Sequence, residues 1–292
     1  FNIFKTSSAF STIFIIINFI GWLIFGIGMM VLLTMMVIDH HVSLPNKFHL
    51  FLVDLFIHFT IFPICIAVSL RALPLFFRLP SIKWNARIFS FVYLVIILFI
   101  FNLRFINIIN DNHDFTKVIS GVVIVKDFLL IWFVFKLEIL LQFFDPWIDK
   151  QKKDTTACKK RTRNAFPDYG QFGHFEWLIR PAFFWLTIGC ILDIFSQIGI
   201  LVTIPIGIGI DGIRHMWLAG FVSLLIMGMA IRMIPGMVKS KQFVNSRKVA
   251  WLAIIMNTSV LFRTSYLVIP ESILNIFPNG SIIALRIFGL SG

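Results

Sequence analysis

The sequence predicts an all-α protein, a polytopic transmembrane helical bundle of about eight helices built as two parallel four-helix repeats, and three observations predict it. The first is composition: 292 residues that are 58% hydrophobic and 14% charged, with a mean hydropathy of +0.90, offer too little polar surface to enclose a water-soluble core. The second is the length of the apolar runs. Residues 10–38 carry no charge at all and exceed the roughly 20 residues that cross the hydrocarbon. Such runs lack the alternation of barrel strands, and lipid offers no partner to unpaired backbone, so they must be helices. The third is a repeat. Ala67-Val68-Ser69-Leu70-Arg71-Ala72-Leu73-Pro74 and Gly228-Met229-Ala230-Ile231-Arg232-Met233-Ile234-Pro235 share one pattern, a small residue followed by an apolar-Arg-x-apolar-Pro exit, and the same alignment sets Asp54 against His215.

Taken in order, the apolar stretches place helices at about 10–38, 48–70, 88–103, 118–144, 177–200, 215–231 and 249–269, with a partial one after Ile273. Arg-x-apolar-Pro is expected to end the second and the sixth, because proline removes a donor and biases its predecessor away from the helix. The connection after the second helix carries Arg71, Arg78, Lys83 and Arg87, and that after the sixth carries Lys239, Lys241, Arg247 and Lys248. The segment 145–173 is richer still in lysine and arginine, whereas the intervening loops hold only Lys47, then Arg104 and Lys117, then Arg214. That asymmetry predicts an N-terminus and basic loops on the cytoplasmic side. It also accounts for the net charge of +12 without a nucleic-acid partner. The reading is of one transmembrane domain, residues 1–292, with repeat halves of about 1–144 and 174–292 joined by the basic inner loop 145–173. Cys65, Cys158 and Cys190 have no metal-ligand spacing and read as packing residues.

Chemistry is expected where the histidines gather. His40, His41, His49, His113 and His215 all fall at ends of helices on the outer side, and His58 lies inside the second helix. Neutral imidazole is a common axial ligand of haem and a good ligand of copper, so His215, His58, His49 and His113 are candidate cofactor ligands, and His40, His41 and His215 candidate metal ligands. Asp54 and His58 are four apart and expected to share a helical face, the carboxylate orienting the imidazole. An intramembrane carboxylate needs a partner, for which His58 or Arg263 is the expectation. Arg71 and Arg232 are expected to anchor helix ends at the inner interface. Lys126, Asp127, Lys136 and Glu138 interrupt the fourth helix.

The run Trp177-Leu178-Ile179-Arg180-Pro181-Ala182-Phe183-Phe184-Trp185-Leu186, together with Asp211-Gly212-Ile213-Arg214-His215, Gly220-Phe221, Gly228-Met229-Ala230, Arg232 and Pro235, resembles the NnrS family of bacterial membrane proteins and its shorter relatives. Val68-Ser69-Leu70-Arg71-Ala72-Leu73-Pro74 is similar in the first half. The resemblance implies a haem- and copper-containing protein of the bacterial inner membrane, linked to electron transfer, nitric oxide and denitrification. It carries over His215 as the motif histidine, with Arg232 and Arg71. The first half departs from the second in having Asp54 where His215 stands. No reaction is implied, so whether the chain is an enzyme stays open. Two alternatives stand beside the resemblance: a non-catalytic accessory subunit packed against other membrane subunits or a cytochrome in a respiratory or photosynthetic complex, and a small-solute transporter. Membrane lipid is the expected surrounding in each case.

Overall fold

The structure is a computed structural model and describes residues 2–38, 46–77, 79, 82, 84–110, 115–141, 174–204, 207–237 and 245–268. Helices α1 (Asn2–Ile38), α2 (Asn46–Leu55), α3 (Phe62–Phe76), α4 (Ala86–Asn110), α5 (Thr116–Leu137), α6 (Glu176–Val202), α7 (Ile210–His215), α8 (Ser223–Met237) and α9 (Ser246–Val268) account for it, and no strand occurs among the described residues. α2 runs into α3 through a π-helical segment, Phe56–Ile61, and α7 runs into α8 through a second, Met216–Val222. Among the described residues six helices are long and apolar enough to cross a membrane: Thr12–Ile38, Lys47–Phe76, Ala86–Ile109, Thr116–Leu137, Glu176–Val202 and Ile210–Pro235. The protein is therefore a multi-pass membrane protein. α9 is as long, but Asn257, Thr258, Ser259, Arg263, Thr264 and Ser265 lower its hydropathy. The partial helix expected after Ile273 lies outside the described residues, as do the basic segment 145–173 and Cys158.

Several expected boundaries move. Pro74 and Pro235 do not end their helices; each lies inside, two residues before the last, and the helices run on to Phe76 and Met237. A proline near the C-terminus forfeits only one bond, to a carbonyl in the final turns, where partners other than the helix can serve it. The third membrane helix continues past Leu103 to Asn110 and so takes in Arg104, which had been expected in a loop. The fourth ends at Leu137 rather than Phe144. Beyond that end Glu138 is buried with a left-handed φ of 56°, while Lys136 is exposed.

The chain forms two compact units: residues 1–76 with 81–126, and residues 77–80 with 127–292. The boundary falls inside α5, between Lys126 and Asp127, both of them buried.

In the first unit α1 packs antiparallel along α2 and α3. A Cβ on Gly28 would lie 2.7 Å from Leu52, and one on Gly21 would lie 2.8 Å from the Phe59 carbonyl carbon and oxygen. Gly21 is thus where two backbones touch, and they touch at the π segment. α4 completes the unit with Phe89 and Tyr93 around Phe14 of α1. Ile100 of α4 meets Ile119 and Val123 of α5.

In the second unit α6 packs antiparallel to the helix formed by α7, the π segment and α8. Trp217 covers Gly189, Trp185 covers Gly220, and Ile179 covers Gly228, each at a distance that leaves no room for a Cβ. α9 is tied to α6 by the Trp185 indole, which donates to the Asn257 side-chain oxygen at 2.9 Å.

Candidate functional site

The two π segments organise the candidate residues. In the first, the Phe62 N–H donates to the Ile57 carbonyl; in the second, the Ser223 N–H donates to the Leu218 carbonyl. Both are bonds across five residues instead of four. The two bonds stand apart by the same interval that separates Arg71 from Arg232. The local causes differ. Pro63 has no N–H, so the wide turn of the first segment lacks the donor that would serve the His58 carbonyl. The Tyr93 hydroxyl of α4 supplies it at 2.9 Å, and the Asn18 side-chain amide of α1 donates to the Thr60 carbonyl at 2.5 Å. In the second segment, where residue 224 is leucine, the Ser223 hydroxyl adds a bond to the Leu218 carbonyl at 3.0 Å. π turns inside α-helices are frequent at functional sites.

His58 lies within the first π segment and is only 6% exposed. Its ring meets Phe62 edge-on at 5.2 Å between centroids and Phe101 at 6.2 Å. One helical turn away, Asp54 is buried, and its carboxylate accepts from the Arg104 guanidinium at 2.6 Å. Arg104 is therefore a cation partner of Asp54 that the sequence pattern, which pointed to His58 or Arg263, does not announce. Sequence reasoning missed it because ending the third helix at Leu103 put Arg104 in solvent; an apolar run resuming at Phe105 was the available signal. Arg104 also lies 5.9 Å from the centre of the Phe101 ring.

His215 ends α7 immediately before the second π segment and is half-buried. Among the described residues no hydrogen bond reaches its ring, and the charges acting on it are those of Arg263 and Asp211. Asp211 also accepts from the Arg214 guanidinium at 2.7 Å. Arg263 belongs to α9 as Arg104 belongs to α4, two residues short of the interval that relates Arg71 to Arg232. Elsewhere in this unit Asp193 and Gln197 are buried and joined by a 2.9 Å hydrogen bond.

Of the remaining candidates, His49 is half-buried in the first turn of α2, Arg71 is exposed on α3, and Arg232 is half-buried on α8. His40, His41 and His113 lie outside the described residues. No group of three or more His, Cys, Asp or Glu side chains able to hold a metal ion occurs among the described residues, which include only His215 of the three candidate copper ligands. For haem the two described membrane histidines differ. The His58 ring is buried against Phe62 and Phe101, whereas the half-buried His215 ring, in the field of Arg263, fits one axial imidazole next to an acidic macrocycle.

Comparison with known protein families, with curated proteins and with solved structures finds no match to the chain.

Proposed function

We propose that this is an NnrS-like membrane haem protein, serving electron transfer or nitric oxide handling in a bacterial inner membrane, with its N-terminus and basic loops cytoplasmic. The observation that carries the reading is the state of His215: half-exposed at a π turn, without a hydrogen bond to its ring among the described residues, and in the field of Arg263. Bound haem b would supply a redox-active iron with a coordination position for a diatomic ligand. The chain's part is to present the imidazole through the α7 terminus and to balance propionate charge through Arg263. Reduced-minus-oxidised spectra of the purified protein test it. A Soret band lost in His215→Ala and kept in His49→Ala is the expected result; absence of haem from the wild type after expression with haem supply defeats it and leaves the accessory-subunit reading.

A second reading, transport of a small solute, is favoured by one observation. Helices interrupted at corresponding positions of two repeats are a pointer to a transport site, and the two π segments stand at the Arg71 to Arg232 interval. Solute flux into proteoliposomes that depends on Asp54 and His215 would put this reading first.

A further inference from the structure

The first unit carries a cavity that neither reading uses. A groove of about 540 Å³ runs between α1, the α2 helix with its π segment, and α4, walled by residues such as Ile16, Ile20, Leu55, Leu98, Phe101 and Phe105. Its volume falls within the range of ligand clefts, ~300–1,000 Å³, but it lacks the convergent polar groups by which such clefts orient a water-soluble ligand. The one polar lining residue is Asn102, and its side-chain amide donates to the Leu98 carbonyl of its own helix at 2.7 Å. The groove opens sideways: Ile16, Ile20, Leu98 and Phe105 are each 44–52% exposed. It therefore faces the surrounding hydrocarbon.

Its dimensions choose the occupant. On α4 the lining runs from Leu94 to Phe105, about 16 Å at roughly 1.5 Å per residue, or half of a ~30 Å hydrocarbon layer. Spread over that length, 540 Å³ open to the centres of water-sized molecules gives a channel about 9 Å across, narrower than a helix of ~10–12 Å with its side chains. A single hydrocarbon chain fits. The Phe105 end lies five residues short of Asn110, the last residue of α4, so a chain entering there keeps its head group near the membrane interface. Lys47, exposed in the first turn of α2, stands at the same end.

We propose that this groove is a phospholipid site, one acyl chain lying along α4 between α1 and α2 and the phosphate held at the Lys47 end. The second acyl chain remains in the bilayer. The site is independent of His215 and of any cofactor.

The test is native mass spectrometry of the full chain in detergent, delipidated and then titrated with dioleoylphosphatidylethanolamine. The wild type is expected to retain one lipid per chain. Leu98→Trp fills the groove and is expected to lower retention at least tenfold, while Ile226→Trp, at an exposed apolar position on α8, retains lipid as the wild type does. Circular dichroism and a thermal melt accompany each variant; if Leu98→Trp does not fold, Ile20→Trp takes its place on the opposite wall. Added lipid should raise the melting temperature of the wild type and of Ile226→Trp but not of the groove variant. No retained lipid in the wild type, equal retention in Leu98→Trp and Ile226→Trp, or a retained peptide in place of lipid overturns the proposal.

Discussion

The two units treat one helix position in opposite ways. In the first, residue 54 is an aspartate that meets Arg104 of the following membrane helix at 2.6 Å, deep enough that both groups need each other. In the second, the aligned residue 215 is a histidine acted on by Arg263 of α9 and by Asp211. One unit pairs its carboxylate with a guanidinium; the other leaves an imidazole in the field of Arg263 and Asp211. The difference teaches where to look for function. A carboxylate fixed to a guanidinium inside the membrane has spent its binding capacity on the fold, whereas a half-buried imidazole can still accept a ligand.

The largest break in the comparison comes from removing one member of the ion pair. Asp54→Asn leaves the Arg104 cation without the carboxylate it meets, and since Arg104 is about a quarter exposed, the loss is discounted from the ~3–5 kcal/mol of a fully buried pair to about 2 kcal/mol. His215→Asn breaks no ion pair and should cost less than about 1 kcal/mol. Thermal unfolding of both variants in one detergent checks the ordering. The double variant Asp54→Asn with Arg104→Gln should recover part of the loss; simple additivity would show that the pair is not coupled.

Next in size are the glycines on which the wide turns rest. Gly21→Ala drives a methyl group into the Phe59 backbone, which cannot turn away, whereas Gly189→Ala meets the edge of the Trp217 side chain. Overpacking of this kind costs ~1–3 kcal/mol, and Gly21→Ala is expected near the middle of that range, no larger than Asp54→Asn, with Gly189→Ala near the bottom. Equal losses would mean that α1 shifts on its neighbour as readily as an indole rotates.

How much of this could be read beforehand depended on whether the signal was local. Apolar run length located the six described helices that can cross a membrane, though not the expected count of about eight, and the Arg-x-apolar-Pro pattern set Asp54 against His215, because both are written in consecutive residues. The ion pair was not legible, since it joins residues fifty apart and turned on a helix end that polar Asn102 and Arg104 made look like a terminus. The π turns left no apolar-period signature either. Their hints were Pro63 in mid-span and the glycines facing them, Gly21 and Gly189, and these declare themselves only once α1 and α6 are seen to lie against the wide turns. The proline exits misled for a related reason: a rule about helix interiors was applied to a terminal turn, where the missing donor costs little.

The smallest expected effect separates the two ways of holding a wide turn open. Tyr93→Phe removes the hydroxyl that donates to the His58 carbonyl, and Pro63 offers no N–H in its place. A buried carbonyl left unbonded costs ~1–3 kcal/mol, so a loss of about 1 kcal/mol is expected, with faster amide exchange around residues 56–62. Ser223→Ala in the second unit removes a hydroxyl from a carbonyl that keeps its backbone donor, and should cost no more than about 0.5 kcal/mol. The comparison sharpens if the π turn near His58 reverts to α winding in Tyr93→Phe while that near His215 is unmoved by Ser223→Ala, for then the first turn is held from outside by α4 and the second by its own helix. Matching exchange rates in the two variants would instead place the cause of both turns in the helix packing they share.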